Sequence, residues 1–328
     1  MMRRPVTLKK LGISQFFQLP FNVYLARSLP LPLLRCYMYF WGILYVLVQI
    51  RMFTNIATCL GLVHRIHTLP SKFLLDLLRS LFGVFEHYFE KLVMAYKDLD
   101  ELQCYLRNRL QISNKHMLDK LAQEGRGALL VTGHFGAVEY LPLSLAMQGY
   151  KVAMICKFKT RTLKRALTQK AACFGVELID ASEPGVAFKA VKAIKEGRFL
   201  ITECDEFSEW RFHRSRRISV FGMILPQDRT LDFFFKRAKV PTFLTLMKRE
   251  NDGINLVIEF LADGSKEQSV AATAWKKLEK YILNCPYQWY QIKGASKFLL
   301  ENALETPIDN KKDQDIPDKD SILSPSYS

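Results

Sequence analysis

No aspartate or glutamate precedes Asp76, whereas Arg3, Arg4, Lys9, Lys10, Arg27, Arg35, Arg51, Arg65 and Lys72 all do. A leading segment of one charge sign, interleaved with Phe16, Phe17, Leu19, Phe21, Tyr24 and Leu25, suits an anionic bilayer surface, with a basic flexible terminus as the plainer reading. The sequence also lacks CxxC spacing: its seven cysteines are scattered and odd in number. That argues against a disulfide framework or a zinc site and for a reducing compartment. There is no Gly-rich dinucleotide loop, GxSxG elbow or phosphate-binding Walker pattern, so the usual dinucleotide, serine-hydrolase and P-loop signatures are missing.

Long apolar runs are scarce as well. Between Arg35 and Arg51 lies CYMYFWGILYVLVQI, uncharged and aromatic near its start at Tyr37, Tyr39, Phe40 and Trp41. It falls short of the roughly 20 residues that span a hydrocarbon core, so it reads as a monotopic or tilted anchor or as a buried core helix. No small-residue cleavage site follows it, and the basic flank points to the cytoplasmic side.

What is present is a core. A hydrophobic content of 49% against 24% charged residues fits one large α/β domain with appendages. The net charge of +15 favours anionic partners, among them phospholipid, nucleic acid, a phosphorylated substrate or an acidic carrier protein. Apolar residues from Phe73 to Val93 recur at helical spacing, and a second helix is expected from an N-cap at Ser113 to a stop at Gly125 and Gly127. GALLVTG, KVAMICK, VELID and RFLITEC then read as strands, separated by helices in AVEYLPLSLAMQ, TRTLKRALTQKAACFG and GVAFKAVKAIKEG.

That alternation predicts a central, mostly parallel mixed sheet flanked by helices, behind an N-terminal membrane-associated helical segment. The expected boundaries are 1–65 for the basic segment, 66–302 for the α/β domain and 303–328 for a disordered tail rich in Asp, Lys, Pro and Ser. In such a sheet ligands bind beyond the carboxyl ends of the strands, where His134, Lys157, Asp180 and the Glu203 to Glu206 stretch would gather.

The stretch VTGHFGAVEYLPL sets His134 between Gly133 and Gly136, with Glu139 five positions on. On one ideal helix residues that far apart do not share a face, but a histidine on the turn before a helix can meet a carboxylate in its first turns. Such a carboxylate would fix the imidazole tautomer and raise the basicity of the other nitrogen. A purely structural pair at a helix start is the competing reading. The remaining histidines, His87 among them, take core or surface roles, and Cys204 that of a small buried residue.

GHFGAVE resembles the HxxxxD/E motif of the lysophospholipid acyltransferase superfamily, and in detail that of the bacterial lipid A biosynthesis acyltransferases. The likeness runs from near Arg35 to Phe298. It includes ITECDEF with its acids Glu203 and Asp205, ISVFG, KRAKVPTFLTLMKRENDGINLVI, and PYQWY, which is similar to the family's PEQW-type ending. Where the family has a His-Arg-Arg-like run after that ending, QIKGASKF supplies Lys293 and Lys297. CKFKTRTLKR, with Lys157, Lys159 and Arg161, stands for its Arg-bearing segment.

The resemblance implies a membrane-associated O-acyltransferase that moves a fatty acyl group from an acyl carrier protein or coenzyme A thioester to a hydroxyl of a lipid or glycolipid. His134 would be the general base, oriented by Glu139. Lys157, Arg161, Glu203, Asp205, Arg211, Arg214, Arg216 and Arg217 are the candidate substrate contacts, the arginines of RFHRSRR as phosphate or carrier-protein ligands. No metal or other cofactor and no nucleic acid is expected, and the implied location is the cytoplasmic face of a bacterial inner membrane. The acceptor stays open among lipid A, another glycolipid, a glycerophospholipid or another hydroxylated amphiphile. The alternative is a non-catalytic protein on the same scaffold that binds anionic lipid or nucleic acid.

Overall fold

The computed structural model describes residues 13–65, 72–251, 253–264 and 269–304; most of the expected tail lies outside them. The chain begins with α1 (Ile13–Phe17), α2 (Pro20–Ser28), α3 (Leu31–Val48) and α4 (Ile50–His64), which lead to the long α5 (Phe73–Tyr96) and to α6 (Leu99–Arg107). There follow β1 (Leu110–Ser113), α7 (His116–Gln123), β2 (Ala128–Thr132), α8 (Leu141–Ala146), β3 (Val152–Cys156), α9 (Arg161–Cys173), β4 (Glu177–Asp180), α10 (Val186–Lys195) and β5 (Phe199–Glu203). The rest comprises β6 (Phe212–Val220), β7 (Met223–Asp228), α11 (Thr230–Ala238), β8 (Thr242–Glu250), β9 (Gly253–Ala262), α12 (Val270–Asn284) and α13 (Ala295–Asn302).

Seven strands form one sheet in the order β1-β9-β8-β2-β5-β3-β4, parallel throughout except for the β8–β9 hairpin. The expected α/β class therefore holds. β2, ALLVT, is buried at every position, as a central strand covered on both faces must be. Two elements differ from expectation. Ser113 ends edge strand β1 instead of capping a helix, because its segment pairs with β9. The RFHRSRR stretch, expected only to supply substrate contacts, forms most of β6, which pairs with β7 as a two-stranded ribbon separate from the main sheet.

The N-terminal helices pack into the same core as the sheet: Phe17, Ala26, Leu34, Met38, Ile56 and Leu60 are fully or almost fully buried. α3 and α4 lie along α5. Arg35 on α3 pairs with Glu86 on α5 at 3.0 Å, and Tyr39 Oη donates to the same carboxylate. The opposite faces carry exposed apolar side chains, including Phe40, Leu47, Val48, Ile50, Leu74 and Leu78. Among the described residues α3 is the one helix long and apolar enough to cross a membrane by length and composition.

Candidate active site

The Gly133–Tyr140 turn at the carboxyl end of β2 is built around two glycines with different tasks. Gly136 adopts φ +63°, and a Cβ there would lie 1.8 Å from the Met247 carbonyl oxygen of β8, so both conformation and space demand glycine. At Gly133 a Cβ would press on Leu278 at 2.7 Å and on Asp205 Oδ2 at 3.3 Å. The turn is clamped from outside. Gly136 N–H donates to the Gln288 carbonyl at 2.8 Å and Ala137 N–H to Met247 at 2.7 Å. Arg249 donates to the Gly136 carbonyl at 2.8 Å while forking onto the buried Glu90 at 2.7 and 2.8 Å, a bidentate pair with fixed geometry.

This turn presents His134 to Asp205. The carboxylate is fully buried and accepts from the His134 backbone N–H at 2.9 Å, from Trp289 Nε1 at 2.8 Å, and lies 2.8 Å from His134 Nδ1. The parallel register explains the meeting. Thr132 pairs with Glu203, so two residues beyond each strand end the chain brings 134 beside 205. On the other side of the ring, Nε2 faces Glu203 at 3.3 Å and Glu206 at 3.8 Å.

Glu139 does not occupy the place expected of it. After Gly136 the short 3₁₀ turn Val138–Tyr140 packs against α5, where His87 and Lys91 share a face one helical turn apart. Glu139 Oε1 lies 2.9 Å from Lys91 Nζ and 3.2 Å from His87 Nε2. The carboxylates around the His134 ring are Asp205, Glu203 and Glu206. His87, expected in an ordinary core role, is fully enclosed here, stacked on Tyr290 with ring centres 3.6 Å apart.

Burial and carboxylates pull the site's titration in opposite directions. Burial disfavours a charged His134, but Glu203, Asp205 and Glu206 outweigh it and push the imidazole up to about 9. Burial in turn raises Glu203 to about 7, with the nearby His134 opposing the shift and Asp205 and Glu206 adding to it. The acids around the ring thus favour its protonated form, and the ring becomes a free base as pH rises. His134, Glu203 and Glu206 each offer a donor atom within 4.8 Å of the others, so the fold assembles a possible N,O-ligand set for a divalent ion that the linear spacing did not reveal.

His134 opens onto a cavity of about 1100 Å³. One side is apolar: Met154 and Ile155 of β3, Leu178 of β4, and Leu163, Leu167 and Ala171 of α9. The other is polar and aromatic, with Trp210, Arg211, Asp228, Arg229 and Phe233. Lys157, Glu139, Glu203 and Glu206 also line it. Arg161, Asp205, Arg214, Arg216 and Arg217 are not among the lining residues. Arg216 is instead paired with Asp232 of α11 at 3.1 Å, and Arg217 donates to the carbonyls of Arg214 and Arg216. Asp180 ties β4 to Lys164 at 2.7 Å. The residues that sequence reasoning passed over are Glu90, Arg249, Gln288 and Trp289, which hold the turn and the buried acid. Gln288 and Trp289 lie in PYQWY and Arg249 in KRAKVPTFLTLMKRENDGINLVI, both noted for likeness and not for a role, while Glu90 had no signal beyond its place in a helical pattern.

A covered, mostly parallel sheet with a carboxylate-flanked histidine at its carboxyl edge, opening on a cavity with both apolar and polar lining, defines an α/β protein with a ligand-sized site at the strand ends. The chain belongs to the bacterial lipid A biosynthesis acyltransferase family, whose profile it matches over residues 25–294. Its class of activity is thus acyl transfer. No curated protein matches the chain.

Proposed function

We propose that the protein is a membrane-associated O-acyltransferase that moves a fatty acyl group from a carrier-protein or coenzyme A thioester to a hydroxyl of a lipid or glycolipid. The observation that carries this reading is His134: its Nδ1 is tied to buried Asp205, and its Nε2 lies beside Glu203 and Glu206, which line the same cavity as the histidine. With Nδ1–H donated to the carboxylate, Nε2 is the nitrogen left to take the acceptor's proton. As the hydroxyl oxygen attacks the thioester carbonyl, the proton passes to Nε2. The tetrahedral oxyanion then collapses, the C–S bond breaks, and the proton returns from the imidazolium to the departing thiolate.

Asp205 acts through the ring by holding the tautomer, and Glu203 by stabilising the charge that the ring gains. Glu139 acts at one remove, by fixing Lys91 and His87 against the turn. The volume supports a chain together with a headgroup, since ordinary ligand pockets run from about 300 to 1,000 Å³. The exposed apolar side chains at the α3–α4 junction and the start of α5 support docking on the membrane from one side, with α3 lying on α5. The cytoplasmic face of an inner membrane is the location this reading takes.

The test is acyl transfer by the purified protein with a panel of acyl thioesters and lipid acceptors. Transfer that vanishes in His134→Ala supports the reading. A His134→Ala protein that keeps the full rate ends it.

A further inference from the structure

The cations that line the cavity are not equally satisfied. Lys91 is neutralised by Glu139 and Lys157 by Glu209. Lys293, on the segment after PYQWY, has no carboxylate within ion-pair distance among the described residues. Its Nζ donates to Tyr88 Oη at 2.8 Å and to Tyr290 Oη, and sits 3.5 Å from the centre of the Tyr290 ring. Lys159, on the loop after β3, lines the same cavity and likewise has no ion-pair partner among the described residues.

We propose that Lys293 and Lys159 form a binding subsite for a phosphate ester carried into the cavity by one of the two substrates. Several observations converge on this. Both residues line the cavity that His134 opens onto, and Tyr290 links the two regions: its ring centre is 6.0 Å from that of His134 and rests against Lys293. Burial pushes the Lys293 ammonium well down, with Lys159 and Lys91 adding repulsion and Glu206 opposing it. Lys159 is lowered too, by burial first and then by Lys91. Cations that repel one another around an open volume gain from a shared anion, and a phosphate oxygen can accept from both ammoniums in charge-assisted bonds. Arg211 and Arg229 also line the cavity, next to Asp228, whereas the arginines of β6 are spent on Asp232 and on backbone carbonyls or lie outside the cavity lining.

A phosphate ester can enter on the thioester's pantetheine arm or on the acceptor's headgroup, and the experiment separates the two. Binding to the full-length protein is measured by calorimetry, without turnover, for 4′-phosphopantetheine against pantetheine and for glucosamine 1-phosphate against glucosamine. Inorganic phosphate serves as the bare anion. The phosphorylated member of one pair should bind about tenfold or more tightly, the worth of one to two charge-assisted bonds. Lys293→Met and Lys159→Ala should each erase most of that preference, Lys293→Arg should keep it, and Lys297→Ala, on an exposed side chain of α13, should leave it intact.

Equal binding within both pairs, or a preference unchanged in both lysine variants, overturns the subsite. Circular dichroism of each variant guards against misfolding, and Lys293→Arg keeps the question open to measurement if Lys293→Met does not fold. The proposal rests on the acyl-transfer reading only for which molecule brings the phosphate. A phosphate preference without any transfer would therefore sink that reading and leave the subsite standing.

Discussion

His134 Nδ1 lies 2.8 Å from Asp205 Oδ1, across a separation of 71 residues in sequence, and the same carboxylate also takes the His134 backbone N–H. The acid thus fixes ring and main chain together. A third donor, Trp289 Nε1, leaves Asp205 no freedom to turn away. Asp205→Asn would put an amide N–H group against Nδ1 and select the tautomer whose proton sits on Nε2, the wrong nitrogen for a base. Transfer should fall by about 10³- to 10⁴-fold at unchanged substrate affinity, as tautomer reversal does in a catalytic triad. Steady-state kinetics measure it, and a loss below about tenfold would remove Asp205 from the positioning role.

The pH profile follows from the acids around the ring. His134 is pushed up to about 9 by Glu203, Asp205 and Glu206 against the effect of burial, so the free enzyme should gain kcat/KM as pH rises towards 9. Glu203→Gln removes the largest of the raising influences and should move that limb to lower pH, giving the variant a relative advantage near neutrality. The sign for stability is opposite. A histidine raised from about 6.5 to about 9 stabilises the fold fully below pH 6.5, and that contribution is lost as pH climbs through 9. Thermal melts over the same range should decline where activity rises, and the decline should be shallower in Glu203→Gln.

Glu139 separates from Glu203 by the same measurement. It is bonded to Lys91 and lies beside His87, not on the His134 ring. Glu139→Gln should lower the melting temperature by a few degrees, because it leaves a largely enclosed ammonium without its carboxylate. Any loss of rate should come without movement of the alkaline limb. A shift as large as that of Glu203→Gln would mean that Glu139 reaches the imidazole during the reaction.

The fold was legible where chemistry is local. Apolar runs closed by Gly175 and Gly197 marked α9, β4, α10 and β5, and the two glycines around His134 marked the sharp exit from β2. The partner of His134 was not legible, because nothing near it in sequence reports that Thr132 pairs with Glu203 and so carries 134 to 205. Glu139 looked like the partner because it was the near carboxylate, and only the turn at Gly136 shows that it faces α5. The β6–β7 ribbon was missed because its charged residues, exposed or half-buried, carry no strand-like alternation. Its arginines looked available for phosphate, whereas the buried acid that engages Arg216 lies on another element.

Membrane docking has a local test at the α3–α4 junction. Leu47, Val48 and Ile50 are 73%, 71% and 61% exposed, with no acidic residue on α2, α3 or α4 to oppose an anionic surface. Leu47→Glu combined with Ile50→Glu should weaken sedimentation with vesicles containing anionic lipid by at least tenfold, since each change removes apolar insertion and adds repulsion. Binding equal to that of the unaltered protein would mean that another face docks.

The depth of the apolar wall makes the last prediction. α9 follows the carboxyl end of β3 and leads back to the start of β4, and Leu163, Leu167 and Ala171, spaced four residues apart on one helix face, all line the cavity. Ala171 is buried at 6% exposure, and a larger side chain there has the cavity as its free volume. Ala171→Phe should therefore shorten the acyl chain accepted. Each methylene that can no longer be buried loses about 0.8 kcal/mol, or about fourfold in affinity, so the longest chain used by the unaltered protein should lose at least tenfold in kcat/KM while shorter donors keep theirs. Competition between thioesters of different chain length, read by mass spectrometry of the product, measures the shift. An unchanged chain-length profile would move the acyl group to the other side of the cavity, against Trp210 and Phe233.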